Sequence, residues 1–215
     1  MEIELKNLGR RYNRQWIFSG LSLNFSFPST HAILGPNGSG KSTLLQIISG
    51  YLSSSEGQVN YYEFDPESKS RILVEKEKIY KKISFAAPYL EIPNSFSVKE
   101  FLDFHFGLKG VYPLTNRLIL LEQSGLIGQE KKLVGALSSG MLQRLKLIAT
   151  MGSNTAIVLL DEPTQNLDDS GFIWFKEMFL EMSKTRTILL GSNSKDEYEL
   201  CKNYLNILEF KKQKR

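Results

Sequence analysis

The sequence has almost no cysteine. Cys201 is the single cysteine among 215 residues, so an intramolecular disulfide is excluded. A lone cysteine at the end of a helical pattern is typical of a small core residue, and we expect Cys201 to be buried. This cysteine usage fits a reducing compartment, and the cytoplasm is the expected location.

Long apolar runs are also missing. No stretch approaches the roughly 18 residues that a helix needs to cross a bilayer. The first six residues, Met-Glu-Ile-Glu-Leu-Lys, lack the order of basic and then apolar residues that marks a signal peptide. If the protein works at a membrane, we therefore expect another chain to cross it, with this chain held peripherally on the cytoplasmic face.

The charges show no strong excess of either sign. The 27 Lys and Arg residues face 23 Asp and Glu residues, which leaves a formal charge of +4. The basic residues are scattered among the acidic ones and form no stripe, so no nucleic-acid partner is expected. The exception is the C-terminal tail, which we interpret as solvated rather than as a phosphate or lipid contact. Its basic residues are Lys211, Lys212, Lys214 and Arg215.

The hydrophobic pattern predicts strands that alternate with helices. Residues 3–8 and 21–27 alternate apolar and polar side chains, as half-buried antiparallel strands do. Further strands are predicted at 31–34, 58–62, 83–86, 156–160, 187–191 and 204–209, and helices at 41–49, 171–183 and 195–201. The charged stretch 65–80, which contains Pro66, is predicted to be a surface excursion. Alternating strands and helices indicate an α/β fold with a parallel sheet.

A helical stretch interrupts this alternation between about 97 and 150. Val98, Phe101 and Phe106 recur at helical spacing, and residues 118–126 show a similar pattern. We expect a single domain in which 1–96 and 151–215 form the α/β core and 97–150 form a helical subdomain. The three apolar side chains are expected in the subdomain core rather than in a docking surface.

A glycine-rich loop follows the predicted strand 31–34. It runs through Gly35, Pro36, Asn37, Gly38, Ser39, Gly40, Lys41, Ser42 and Thr43 and matches the pattern G-x-x-x-x-G-K-[ST]. The glycines let backbone N–H groups point at phosphate oxygens, and the following helix adds its positive end. We predict that Lys41 reaches the β- and γ-phosphates, that Ser42 ligates Mg²⁺ and that Thr43 contacts phosphate. The loop therefore predicts binding of a nucleoside triphosphate, and MgATP is the expected one.

Two adjacent carboxylates end the apolar strand at 156–160. Asp161 and Glu162 are thereby delivered to the carboxyl edge of the sheet, beside the glycine loop. We predict that Asp161 holds Mg²⁺, directly or through water, and that Glu162 polarises the attacking water.

A third motif gives the sequence a family resemblance. Leu137-Ser138-Ser139-Gly140-Met141, followed by Gln143 and Arg144, precedes the acidic strand by some twenty residues. With the two motifs above, it resembles the nucleotide-binding subunit of ATP-binding cassette (ABC) proteins, whose signature is Leu-Ser-Gly-Gly-Gln. The resemblance covers nearly the whole chain. It implies a P-loop NTPase (RecA-like) core with a parallel sheet, an N-terminal antiparallel β subdomain and an inserted α-helical subdomain.

The resemblance also implies roles for further residues. In the family the signature caps the γ-phosphate bound by the opposite subunit, which assigns Ser138 and Gly140 to a site shared between two chains. A helix start with a hydroxyl and a free N–H suits an anion. Asn166-Leu167-Asp168 resembles the loop that touches the partner subunit. Tyr12 stands where the family places an aromatic ring on adenine, with Trp16 as the alternative and packing within the antiparallel sheet as a further possibility.

Three elements of the family pattern are altered in this sequence. Pro88 stands where the family has a Gln that contacts Mg²⁺ and water, and Asn193 stands in place of the switch His. Ser139 and Met141 replace Gly and Gln of the signature. Loss of one pre-organised γ-phosphate donor costs about 3 kcal/mol of transition-state stabilisation, or about a hundredfold in rate, so slow hydrolysis is expected. Tyr89 or Glu91 could take over the role of the missing Gln.

These residues predict an ATP-hydrolysing subunit of a membrane transporter. Two copies, or this chain and a related subunit, would enclose two MgATP and drive a separate transmembrane permease. The alternative is a soluble regulatory or assembly ATPase that uses ATP-gated dimerisation without transport. A module that clamps ATP and rarely hydrolyses it is a third possibility.

Overall fold

The computed structural model describes residues 1–65, 67 and 70–211. Pro66 and the tail residues Lys212, Lys214 and Arg215, for which expectations were stated above, lie outside the described residues. Lys211 is exposed. The described residues contain no helix that is both long and apolar enough to span a bilayer.

An antiparallel sheet is built mainly from the N-terminal residues. Its strand order is β2-β1-β4-β5. The strands are β1 (Glu2–Tyr12), β2 (Gln15–Phe25), β4 (Glu56–Asp65) and β5 (Ser70–Leu73). Ile3, Leu5, Leu21 and Phe25 are fully buried on one face, which explains the alternating pattern of the sequence. The prediction of an antiparallel sheet near the N-terminus is therefore confirmed.

The prediction for 65–80 was incomplete. This stretch contains β5, which pairs with β4, and a 3₁₀ helix at Lys76–Lys81. All four residues of β5 are exposed, so its sequence shows no alternation of buried apolar and exposed polar residues. In the 3₁₀ helix only Ile79 is buried, which is too little to give a helical period.

A second sheet of five strands forms the centre of the fold. Its order is β6-β7-β8-β3-β9, and every neighbouring pair is parallel. The strands are β3 (Ser29–Leu34), β6 (Ile83–Ala86), β7 (Ile157–Asp161), β8 (Thr187–Gly191) and β9 (Asn203–Asn206). Every residue of β7 and β8 is buried, as expected for central strands covered on both faces. The predicted parallel α/β core is confirmed.

The register of this sheet sets the distance between the two predicted motifs. Asp161 at the end of β7 pairs with Gly191 of β8, and Gly191 pairs with Ile33 of β3. The carboxylate strand and the strand that leads into the glycine loop are thus separated by one strand, or about 10 Å at the usual strand spacing. Both strands end at the same edge of the sheet, where ligands of open parallel sheets bind.

The remaining helices cover the sheet or lie in the helical stretch. They are α1 (Lys41–Ile48), α2 (Val98–Lys109), α3 (Arg117–Gln123), α4 (Ser139–Met151), α5 (Asp169–Met182) and α6 (Lys195–Tyr198). Ser97 and Glu100 form a capping box that starts α2. Val98 and Phe106 are buried and Phe101 packs against the same core, so these side chains belong to the core as expected.

The C-terminal end of the chain differs from the prediction. The predicted strand 204–209 is split into β9 and a 3₁₀ helix at Ile207–Phe210. Asn206 ends the strand because its side-chain oxygen accepts a hydrogen bond from the N–H of Leu208 at 3.1 Å. The predicted helix 195–201 is shorter, since α6 ends at Tyr198. Cys201 is buried as expected.

Candidate functional site

The glycine loop joins β3 to α1, as the sequence predicted. Gly35, Gly38 and Gly40 have positive φ angles of 148°, 74° and 114°, which favour glycine. A Cβ on Gly35 would lie 2.6 Å from the Ser39 hydroxyl oxygen, so a side chain there would also clash. Helix α1 begins at Lys41 with no acidic residue in its first turn. Its positive end is therefore free to attract an anion.

Lys41 is buried beside this loop. Its Nζ donates to the carbonyl oxygen of Gly35 at 2.7 Å and to that of Pro36 at 3.4 Å. Burial lowers the pKa of Lys41, and the nearby Glu162 and Asp161 carboxylates oppose that effect. A buried ammonium group that faces loop carbonyls and two carboxylates is suited to receive phosphate oxygens.

Asp161 is 2 % exposed at the end of β7. Burial raises its pKa above the usual value, and interactions with Ser42 and Tyr89 oppose the rise. The Oδ1 atom is buried and has no hydrogen-bond partner. Glycine at position 191 keeps the space beside this oxygen open, because a Cβ there would lie 3.0 Å from it.

These features fit a magnesium ion. A buried carboxylate oxygen without a partner stands beside the Ser42 hydroxyl, and both are oxygen donors that Mg²⁺ prefers. The part of the chain that the structure describes has no group of three or more His, Cys, Asp or Glu able to hold a metal. Mg²⁺ binds through one or two protein oxygens together with substrate phosphates and waters, and Ser42 and Asp161 would provide the protein oxygens here.

Glu162 faces the glycine loop. Its backbone has a positive φ of 46°, and its N–H donates to the carbonyl of Gly191 at 2.9 Å. Non-glycine residues rarely adopt this backbone conformation, and those that do are concentrated at functional sites. Glu162 lines a cavity of about 210 Å³ together with Ile17, Asn37, Gly38, Ser39, Gly40, Lys41, Ser42 and Thr43. The structure thus brings the predicted catalytic carboxylate to the predicted phosphate site.

Asn193 also reaches the loop. Its Nδ2 donates to the side-chain oxygen of Asn37 at 2.8 Å. Asn193 follows β8, so it stands at the same edge of the sheet as Asp161. An amide at this position can donate one hydrogen bond to a phosphate but carries no charge.

Ser138 and Gly140 lie elsewhere. Ser138 caps α4, and its hydroxyl oxygen accepts a hydrogen bond from the N–H of Met141 at 3.3 Å. Both residues line a separate cavity of about 330 Å³, together with Ser124, Gly125, Met141, Arg144, Asn166 and Asp168. None of these residues lines the cavity of the glycine loop. One chain therefore holds the two predicted halves of the site in two different places.

The aromatic candidates do not line the loop cavity. Tyr12 is 46 % exposed, and the guanidinium of Arg10 lies 4.5 Å from its ring centroid. Trp16 is half-buried, with the guanidinium of Arg11 at 5.6 Å. Tyr12 is thus not packed inside the antiparallel sheet, and its stacking on adenine stays a prediction.

Several residues that support the site carried no assigned role in the sequence. Gln143 of α4 donates to the carbonyl of Pro163 at 2.6 Å. Glu197, which is 3 % exposed, accepts from the N–H of Thr164 at 2.9 Å and from its hydroxyl at 2.5 Å. These contacts hold the segment that follows Glu162. Gln143 matched the family pattern, whereas Glu197 lies among charged surface residues and gave no signal.

Comparison with known proteins supports the same interpretation. The family model described as "ABC transporter" matches residues 18–165. A lantibiotic transport ATP-binding protein from Streptococcus pyogenes is 26% identical over 211 residues, which cover 96% of this chain and 86% of the relative.

Solved structures share the fold. A putative ABC transporter ATP-binding protein from Pyrococcus furiosus aligns with a TM-score of 0.77 at 25% identity, covering 99% of this chain and 100% of the other. A bacterial ABC transporter cassette solved as a dimer aligns with a TM-score of 0.79 at 21% identity, covering 95% of this chain and 94% of the other. The family match agrees with the loop, carboxylate and signature motifs. The chain therefore belongs to the ABC transporter family and is an ATP-binding subunit.

Proposed function

We propose that two copies of the chain bind two MgATP between them and hydrolyse them to drive a transmembrane permease. Each site consists of the glycine loop of one copy and the Ser138 and Gly140 turn of the other. The observation that carries this proposal is the separation of the two anion-binding elements into different cavities of one chain. A helix start whose serine hydroxyl can still donate a hydrogen bond suits a phosphate, and a second copy can bring it to the loop.

Within each site the residues divide the chemistry. Lys41 binds the β- and γ-phosphates, and Asn193 donates one hydrogen bond to the γ-phosphate. Ser42 and Asp161 hold Mg²⁺, which when bound neutralises charge on the phosphates. Glu162 accepts a proton from the attacking water and directs that water at the γ-phosphorus. The products are ADP and inorganic phosphate.

A mixing experiment tests the shared site. Ser138→Asp keeps a side chain that can cap α4 but places a negative charge against the phosphate. Alone, each variant can form only damaged sites, because two copies of Ser138→Asp lack a normal signature turn and two copies of Lys41→Met lack a normal loop. Each variant by itself is therefore expected to hydrolyse little ATP. In an equimolar mixture we expect roughly a quarter of the wild-type rate, because half of the dimers are mixed and each mixed dimer retains one intact site.

The rate of the mixture is compared with the mean of the two separate variants. A mixture that shows only this mean would contradict a site built from two copies. Mixing Lys41→Met with Lys41→Met under another tag is the matched control, and it is expected to give no recovery.

We also propose that hydrolysis is slow, because Asn193 offers an uncharged donor to the γ-phosphate. Asn193→His is expected to raise the turnover number by up to about a hundredfold, since a protonated or well-aligned imidazole donor contributes about 3 kcal/mol at the transition state. Steady-state release of phosphate by the purified protein measures this. The control is Asn154→His, an exposed position just before β7 at the opposite edge of the sheet. Brisk hydrolysis by the wild type that Asn193→His leaves unchanged would refute the proposal.

A membrane partner follows from the transporter assignment. We propose that the chain is cytoplasmic and peripheral, held on the cytoplasmic face by a separate permease. Purification of the native protein in detergent is expected to retain a polytopic membrane protein. Its absence would favour the alternative of a soluble ABC regulator that uses ATP-gated dimerisation without transport.

A further inference from the structure

Tyr89, one of the two candidates for the role of the missing Gln, lies beside the predicted cation site. Strand β6 pairs with β7 so that Ala86 lies opposite Leu160, the residue before Asp161. The chain that leaves β6 therefore passes beside the Asp161 carboxylate. Three residues after Ala86, the phenol of Tyr89 interacts with that carboxylate and with the side-chain amide of Gln46 in α1.

The surrounding contacts fix this phenol. The ring of Tyr89 packs edge-on against Phe85, with 6.2 Å between the ring centroids. The Nζ of Lys146 in α4 donates to the carbonyl of Pro88 at 3.2 Å and to that of Ala87 at 3.4 Å, which anchors the backbone just before Tyr89. With its ring packed and its backbone anchored, Tyr89 holds its hydroxyl in a defined position. A residue that orients a metal ligand must be held in this way.

We propose that Tyr89 is a positioning residue for the divalent cation. Its hydroxyl interacts with Gln46 and with Asp161, and it is placed to orient that carboxylate so that the partnerless Oδ1 is left free to bind the cation. Donors behind a metal-binding carboxylate fix its orientation, and their removal typically lowers metal affinity about 10–100-fold. This inference rests on the proposed MgATP function and adds to it a residue outside the loop and carboxylate motifs.

The structure also links this residue to the helix that carries Ser138. Lys146 belongs to α4, the helix that Ser138 caps, and it binds the two carbonyls that precede Tyr89. The backbone before Tyr89 is thus tied to the helix whose start is proposed to face the other copy's nucleotide.

The variant Tyr89→Phe tests the inference because it removes the hydroxyl and keeps the ring against Phe85. Binding of a fluorescent ATP analogue is first measured in EDTA and then titrated with Mg²⁺. We expect unchanged binding in EDTA, which also shows that the variant is folded. The Mg²⁺ concentration that gives half of the metal-dependent change is expected to rise about 10–100-fold.

The matched control is Tyr204→Phe. Tyr204 is 55 % exposed against 42 % for Tyr89, and it lies on β9 at the other edge of the parallel sheet. Its Mg²⁺ requirement should equal that of the wild type. An unchanged requirement in Tyr89→Phe, with normal wild-type binding, would overturn this inference alone. A wild-type protein that binds no ATP would overturn the proposed function and the inference together.

Discussion

Replacement of Lys41 by Met is expected to weaken ATP binding at least a hundredfold. The Lys41 ammonium is buried beside the loop, where it donates to the Gly35 carbonyl. In the proposed function it donates to two phosphate groups. Hydrogen bonds to charged groups contribute about 1.5–3 kcal/mol each, so two of them correspond to at least a hundredfold in the dissociation constant. Met keeps the length of the stem and removes only the charged donor. Calorimetric titration of the purified protein with MgATP measures the change.

The control for this variant is Lys184→Met. Its side chain is 65% exposed, and its Nζ contacts only Glu181 among the ion pairs of the described chain. We expect its affinity for ATP to stay within twofold of the wild type, since an exposed ion pair contributes about 1 kcal/mol or less to stability. If Lys41→Met and Lys184→Met bind ATP equally well, the loop is not the phosphate site.

Replacement of Glu162 by Gln is expected to abolish hydrolysis while ATP remains bound. The side chain keeps its size and loses its ability to accept a proton from water. Loss of a general base lowers the rate about 10²–10⁴-fold, whereas binding depends on Lys41 and the backbone of the loop. Single-turnover hydrolysis and equilibrium binding of labelled ATP separate the two effects.

Glu181→Gln is the corresponding control. This glutamate is exposed on α5 and forms its ion pair with Lys184. Its hydrolysis rate should match the wild type. Retention of more than a tenth of the wild-type rate in Glu162→Gln would show that another group activates the water.

The strands of the central sheet could be predicted because burial leaves a plain signal. β7 and β8 are buried at every residue and read as uninterrupted apolar runs. The exposed strand β5 and the 3₁₀ helix after it have no such signal and were missed. The end of β9 was misplaced because a single side chain, Asn206, turns the backbone there.

The candidate nucleotide site also contains residues that the sequence predicts and residues that it does not. The glycine loop could be predicted because its residues are consecutive, and the Asp161 and Glu162 pair because it ends an apolar strand. The residues that hold these groups in place are distant in sequence: Glu197 binds Thr164 33 positions away, and Gln143 binds Pro163 20 positions away. Such pairs cannot be predicted from residue spacing, because only tertiary folding brings them together.

Tyr89 and Asn193 show what resemblance can and cannot supply. The family pattern drew attention to both positions, but the contacts come from the structure: Asn193 donates to Asn37, and Tyr89 interacts with Asp161 and Gln46. Sequence left Tyr89 and Glu91 as equal candidates beside the metal. The pairing of β6 with β7 brings the chain after β6 beside Asp161, and the phenol of Tyr89 interacts with that carboxylate.

The molar mass of Glu162→Gln in solution, measured by light scattering with and without MgATP, shows whether two copies close around the nucleotide. We expect the mass of a single chain, 24.5 kDa, without nucleotide and twice that mass with saturating MgATP. Lys41→Met, which cannot hold the nucleotide, should remain at the mass of one chain in both conditions. If Glu162→Gln binds MgATP and stays at the mass of a single chain, the two copies do not share the nucleotide sites.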